Sequence, residues 1–280
     1  MTTSFPMNGG DGPYRLYSKN FQLAKDILNG SKEVARDPII QNLDIKIMLS
    51  PSSNTIRIED FVCSVGPNTF IAMQHVVHVL KEKYHNNILE FQVFFNDHVT
   101  NDFNNLFQSL PIDRSYYAFG VPGSFYDRLF PSRSIHFAYS CCSIHWLSKC
   151  PEELLNEKSP AWNKGLIHYM ASNNEVVNAY VTQFEKDMEM LLNARAAEIV
   201  EGGMMRKLDE SLIDSFNLPV YFSSPEDMTK VVEKNNYFSI EKMKLTYPKS
   251  KIIIADAKIL IINLKAVLEG LFINHFGRKL

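Results

Sequence analysis

The sequence predicts an α/β protein built on an open parallel sheet, and three observations carry that prediction. "NTIRI" (residues 54–58) is a short β-branched run suited to a buried parallel strand, and it leads into the turn "EDFVCSVGPNTF" (59–70). "TFIAMQHVVHVLKEKY" (69–84) has apolar residues at three- and four-residue spacing and a charged end, the pattern of an amphipathic helix. "ILEFQVFFND" (88–97) is then a second strand that ends on an acid. In such a sheet a ligand binds beyond the carboxyl ends of the strands, where tight turns bring backbone N–H groups and a helix N-terminus to it.

The other elements follow in chain order. A helix is expected near 19–29, after a glycine-rich start. "SYYAFGV" (115–121) and "SIHFAYSC" (134–141) read as two more strands, separated by the Pro-, Gly- and Ser-rich loop "PGSFYDRLFPSR" (122–133). Residues 162–200 carry a helical pattern that "EGG" (201–203) should end. Met204 and Met205 begin a strand that the charged "RKLDES" interrupts at once, so this strand is expected to be cut short. A loop, a helix capped by Ser223 or Ser224, a further strand and a final helix over 256–275 complete the order.

Composition narrows the function. A chain of 280 residues with 45% hydrophobic residues can bury a full core. Twenty-nine basic and 31 acidic residues leave a net charge of −2, which argues against nucleic acid or an anionic membrane as partner and for a small polar metabolite. Cys63, Cys141, Cys142 and Cys150 have neither metal-site spacing nor the density of a disulfide scaffold, as expected in a reducing, cytoplasmic setting. The first residues lack a basic start followed by an apolar run, so no secretory signal is expected. The apolar stretch 251–273 is broken by Asp256, Lys258, Lys265 and Glu269, too much charge for an unaided membrane span.

Several residues then ask for chemistry. The dinucleotide pattern GxGxxG fails, because Val62, Ser64 and Gly66 occupy its spaced positions. Asp97, at the end of the second strand, can accept both hydroxyls of a ribose, and Asp60 ends the neighbouring strand. Taken alone, the two acids leave an adenosine site and a plain structural turn both open. Ser124 does not sit in GxSxG, since Pro122 and Tyr126 stand where glycines belong. Its hydroxyl and the Phe125 ring suit the edge and face of a flat base, or simply a packed loop. His145 and Trp146 lie just past a strand end, where Trp offers a broad apolar face with an N–H handle, although a core role is equally open. His75 and His78 lack a third metal ligand and read as structural.

The ordered motifs "MNGGDGPY", "GPNTF", "FQVFFND", "NDFNNLFQSLP", "GVPGSFYDRLFP", "SIHWLS", "AWNKG", "DSFNLPVYF" and "KAVLEGLFINHFG" resemble the plant SABATH methyltransferases over nearly the whole chain. That resemblance implies a single domain over 1–280, with a Rossmann-like core over about 30–205 and a helical cap and C-terminal part over about 206–280. It implies S-adenosylmethionine as methyl donor, with cofactor contacts from Tyr17, Asp60, Cys63, Asn68, Asp97, His98, Ser124 and Phe125. Gln22, Cys142, His145 and Trp146 fall at substrate positions, and Asn163, Asp214, Phe216 and Asn217 at positions assigned to Mg2+ in relatives. The implied substrate is a small carboxylic acid. A purine-like ring nitrogen is the alternative acceptor, and a homodimer is open. Methyl transfer to a carboxylate is an in-line displacement by a group already ionised at neutral pH, so positioning does the work and no general base is needed.

The chain also departs from that family. Val62 replaces a glycine beside the cofactor, where a side chain could crowd the methionine moiety or impose a disfavoured φ. Cys142 replaces a substrate-contacting tyrosine. Several dozen residues that complete a strand and build a cap helix in relatives are lacking between Met205 and Arg206, and the chain ends soon after "HFG". These losses raise a second expectation, a catalytically impaired homologue that serves as a non-catalytic subunit.

Overall fold

A computed structural model describes residues 36, 39–49, 53–84, 89–141, 143–164, 166, 168–169, 172–208 and 220–243. The expected helices at 19–29 and 256–275 lie outside them, as do Tyr17, Gln22, Cys142, Asp214, Phe216 and Asn217.

In chain order the elements are α1 (Ile45–Met48), β1 (Thr55–Phe61), α2 (Asn68–Tyr84), β2 (Glu90–Asp97), α3 (Phe103–Gln108), β3 (Tyr117–Pro122), β4 (Ile135–Cys141), α4 (Asn174–Glu198), β5 (Ile199–Leu208) and α5 (Pro225–Lys234). The five strands form one sheet in the order β3-β2-β1-β4-β5. Every strand pair is parallel. The sheet bears out the predicted fold class.

Alternation along each strand explains the layers, because successive side chains point to opposite faces. Ile56 and Ile58 of β1, Phe91, Val93 and Phe95 of β2, and Phe137 and Tyr139 of β4 join one core, which α2 covers with Phe70, Met73, Val76, Val77 and Leu80. Phe61 and Ala138 face the other side, where Val176, Tyr180, Phe184, Met188, Leu191 and Leu192 of α4 complete a second core. Helices therefore cover both faces. From β1 the chain moves outward through β2 and β3, then returns to β4 on the other side of β1. That reversal opens a crevice at the carboxyl ends of β1 and β4, the switch point where open α/β sheets bind ligands.

Three expectations need correction. The helix expected over 162–200 is shorter: Asn173 caps α4 by accepting from the Val176 N–H, and the described residues among 162–172 are not helical. "EGG" does not end it. The helix stops at Glu198, Ile199 is already extended, and Gly202 and Gly203 lie inside β5. Gly202 has φ +73, a conformation open to glycine at little cost. The strand expected to be cut short is whole, running ten residues across the Met205–Arg206 junction with Tyr139 paired to Arg206 and Cys141 to Leu208. The backbone there supplies the ladder whichever side chains it carries, so the charge of Arg206 and Lys207 does not stop pairing. Residues 235–243 contain no strand, contrary to the expected one after the capped helix. The cap itself is as expected: Ser224 and Asp227 form a reciprocal capping box at the start of α5.

Candidate active site

The turn after β1 is where the sequence departs from a glycine-rich pattern, and the backbone shows the consequence. Val62 and Ser64 both adopt φ +57. A β-branched residue in that region is a rare and costly choice, on the order of 1–3 kcal/mol. The expected disfavoured φ at Val62 is thus realised. The Val62 side chain packs against the core that contains Phe61 and Phe125. Around it the turn holds its shape, with the Cys63 N–H donating to the Asn96 carbonyl at 2.9 Å.

The same turn is tied to the end of β2. Asp97 accepts from the Ser64 N–H through Oδ2 and from the His98 N–H through Oδ1, each at 2.7 Å. These bonds fix the carboxylate's orientation and leave it further lone pairs. Burial pushes Asp97 up to about 6 against the two N–H bonds, and pushes Asp60 up to about 7 although the Thr69 hydroxyl donates to it. The two acids also repel each other. Asn101 donates to the Ser64 carbonyl at 3.1 Å, and Asn96 donates to the carbonyls of Val121 at 2.9 Å and Gly123 at 3.0 Å. Ser64 Oγ, Asn96 Oδ1 and Asn101 Oδ1 are buried without a hydrogen-bond partner among the described residues. A buried carboxylate held in one orientation at a strand end suits a ligand rich in hydroxyls.

Beyond β3, Gly123 donates to the Asp97 carbonyl at 2.9 Å, and a Cβ at Gly123 would lie 2.6 Å from Leu129. Ser124 Oγ accepts from the Tyr126 N–H at 3.3 Å. Phe125 packs between Phe61, with centroids 6.4 Å apart, and Tyr126, at 4.2 Å. Asp60, Cys63, Asn68, Asp97, His98, Ser124 and Phe125 therefore lie on the ends of three adjacent strands or the turns that follow them. The His98 ring turns aside to Thr100, with 2.8 Å between Nδ1 and Oγ1, so its backbone rather than its imidazole faces Asp97. Ser124 is not an activated nucleophile, and burial pushes the Cys63 thiol up, which disfavours the thiolate.

The loop after β4 forms the other wall. The His145 ring stacks on Phe222 at 5.3 Å and lies 5.6 Å from the Trp146 ring. Trp146 Nε1 is buried with no hydrogen-bond partner among the described residues. Residues 220–222 dock directly on this loop: Trp146 bridges Val220, and the Tyr221 N–H donates to the His145 carbonyl at 2.8 Å. Asn163 stands apart in role. Its Oδ1 accepts from Ser172 at 2.7 Å and its Nδ2 donates to the His168 carbonyl at 3.3 Å. Among the described residues no cluster of His, Cys, Asp or Glu could hold a metal ion.

Helix α4 supports both walls with charges that sequence reasoning missed. Arg195 is fully buried, 3.2 Å from Glu59 and 2.7 Å from Glu198, and donates to the Asp127 carbonyl at 2.8 Å. Glu198 Oε1 in turn accepts from the N–H groups of Leu129 and Phe130. Asp187 accepts from the Ser148 N–H at 2.8 Å and the Ser148 hydroxyl at 2.6 Å. The available signal was polar residues on the apolar stripe of a long helix, since buried charges need partners.

A Rossmann-like α/β methyltransferase fold is the class that this parallel sheet and its helices define. The chain belongs to the SAM dependent carboxyl methyltransferase family, whose model matches residues 2–208 and 206–280. Its S-adenosylmethionine-dependent members transfer methyl groups, and the motif resemblance to the SABATH enzymes is borne out. Loganic acid O-methyltransferase of Catharanthus roseus is 39% identical, over 98% of this chain and 84% of the relative. Farnesoic acid carboxyl-O-methyltransferase of Arabidopsis thaliana is 36% identical, over 99% of this chain and 89% of the relative. A solved structure of loganic acid methyltransferase with SAH superposes with a TM-score of 0.90 at 39% identity, covering 97% of this chain and 88% of that one. The first of these alignments spans 316 positions against 280 residues here, so at least 36 positions have no counterpart in this chain. The two matched pieces meet at 206–208, the end of β5, and the residues on the far side of the break complete that strand.

Among the described residues no helix is long and apolar enough to cross a membrane.

Proposed function

We propose that this chain methylates the carboxylate of a small organic acid, with Asp97 as the residue that anchors the S-adenosylmethionine ribose. The oriented, buried Asp97 carboxylate carries this reading: two backbone N–H bonds hold it at the strand end and leave it further lone pairs for the ribose hydroxyls. Ser124 and Phe125 would bound the adenine, and Asp60, Cys63, Asn68 and Tyr17 would line the methionine side. The cofactor supplies an electrophilic methyl group. The protein's part is to align a carboxylate with it and to exclude water, with no proton transfer required. Trp146 Nε1 would donate to the acceptor carboxylate, and the rings of His145 and Trp146 would flank its apolar body, with Gln22 and Cys142 nearby in sequence pattern only. Asn163 spends its amide on Ser172 and His168, so no step is assigned to Mg2+.

Calorimetry with S-adenosylhomocysteine (SAH), followed by methyl-ester detection with a panel of small acids that includes loganic and farnesoic acids, tests the proposal. Binding and ester formation support it. Absence of binding by folded protein would sink it. The strained Val62 and the break between the two matched pieces favour one second reading, a non-catalytic homologue, which binding without any turnover would support.

Two further results are expected. Val62 already packs into the core, so relief of its strain and loss of its contacts should nearly cancel. Val62→Gly is expected to change SAH affinity by less than about threefold, and a tenfold gain would show that the valine crowds the cradle. Asp97 accepts hydroxyl donors best when ionised, and its unliganded value is about 6. SAH affinity should therefore hold above pH 7 and fall as the pH drops through 6, by about tenfold between pH 7.5 and 5 for a one-proton linkage. A flat profile in calorimetry would contradict this assignment. The sign for folding is opposite: a carboxyl raised above its unfolded value stabilises the fold at low pH, and that contribution is lost as the pH rises through 6.

A further inference from the structure

We propose that Tyr126 is a positioning residue that couples occupancy of the cofactor cradle to the acceptor wall, an inference that rests on the adenine assignment of Phe125. Tyr126 is buried, its ring centroid lies 4.2 Å from that of Phe125, and its hydroxyl donates to the backbone carbonyl of Trp146. It is thus a short physical link between the loop after β3 and the loop after β4.

The anchoring of the two loops makes this link the one that responds. The far end of the first loop is clamped to α4, with Arg195 on the Asp127 carbonyl and Glu198 on the Leu129 and Phe130 N–H groups. The second loop is clamped to the same helix at Ser148 by Asp187, which Gln183 braces at 2.8 Å. Between the clamps lie Ser124–Phe125 on one side and His145–Trp146 on the other, joined through Tyr126. A base stacking against Phe125 would shift the Phe125–Tyr126 pair, and the hydroxyl would carry that shift to the Trp146 backbone. Packed side chains adjust together rather than singly, so the displacement is not absorbed locally. Coupling of this kind is reciprocal: a bound acceptor would tighten the cofactor by the same factor. An enzyme that catalyses by alignment gains from it, since the acceptor wall takes its final shape only when the donor is in place.

The chain has two tryptophans, Trp146 and Trp162, so Trp162→Phe leaves Trp146 as the sole reporter. In that background SAH is expected to shift the Trp146 emission, and adding Tyr126→Phe is expected to abolish the shift while calorimetry still records SAH binding. An equal shift in both proteins would overturn the inference and leave the cofactor reading standing. Failure of the parent protein to bind SAH would overturn both. Hydrogen exchange on the unmodified protein needs no variant to fold: SAH should slow exchange of amides 143–148, and unchanged exchange there with SAH bound would overturn the coupling.

Discussion

Asp97→Ala is expected to lower SAH affinity at least about a hundredfold, because two hydroxyl bonds to a charged acceptor would be lost, each contributing roughly 1.5–3 kcal/mol. Fold stability should change little by comparison, within about 2 kcal/mol. The N–H groups of Ser64 and His98 lose an acceptor, but a buried charge held at a cost is removed at the same time. That contrast separates a binding residue from a structural one. Calorimetry beside thermal unfolding checks it: unchanged SAH affinity in a folded variant would reject the ribose assignment, and unfolding would show that Asp97 chiefly holds the β1 turn.

Arg195→Met should have the reverse profile, a large loss of stability. The guanidinium sits between two fully buried carboxylates and covers the Phe61 ring at 4.8 Å. Its removal leaves Glu59 and Glu198 facing each other without a cation, which is expected to cost about 3–5 kcal/mol. For a chain of this size that corresponds to a fall of about 10 °C in Tm. Burial raises Glu59 well above its ordinary value, and Arg195 is the charge that opposes the rise. In the variant Glu59 would be raised further, so its protonated form supports the fold at low pH and that support is lost as the pH climbs. The Tm deficit should accordingly be larger at pH 8 than at pH 5, and Glu59→Gln added to Arg195→Met should recover part of it. A Tm within about 2 °C of the parent would show that the triad contributes nothing net.

Residues 220–222 dock on the loop after β4. The family model matches this chain in two pieces, and the segment that follows their junction pairs with Trp146 and His145 and stacks Phe222 on the His145 ring. The loop after β4 is therefore covered on that side by residues 220–222.

Much of the architecture, and the polar and aromatic residues set at the strand ends, was legible in the sequence, because those features follow from local pattern. Alternating and β-branched runs marked β1 to β4, helical spacing marked α2 and the main part of α4, and Asp97, Ser124 and His145–Trp146 stood out as polar or aromatic residues just past strand ends. The motif series carried the family, which composition and periodicity alone did not. Tertiary structure decided the remainder. Backbone pairing with β4 made β5 a complete strand through Arg206 and Lys207, a result that side-chain pattern argues against. The αL turn at Val62 is held by the Cys63 and Ser64 bonds to β2, contacts more than thirty residues away in the chain. Asp187, Arg195 and Glu198 are polar positions on the apolar stripe of a long helix, and only the fold showed which partners they meet, where burial makes each demand one and so ties two loops of the site to one strut.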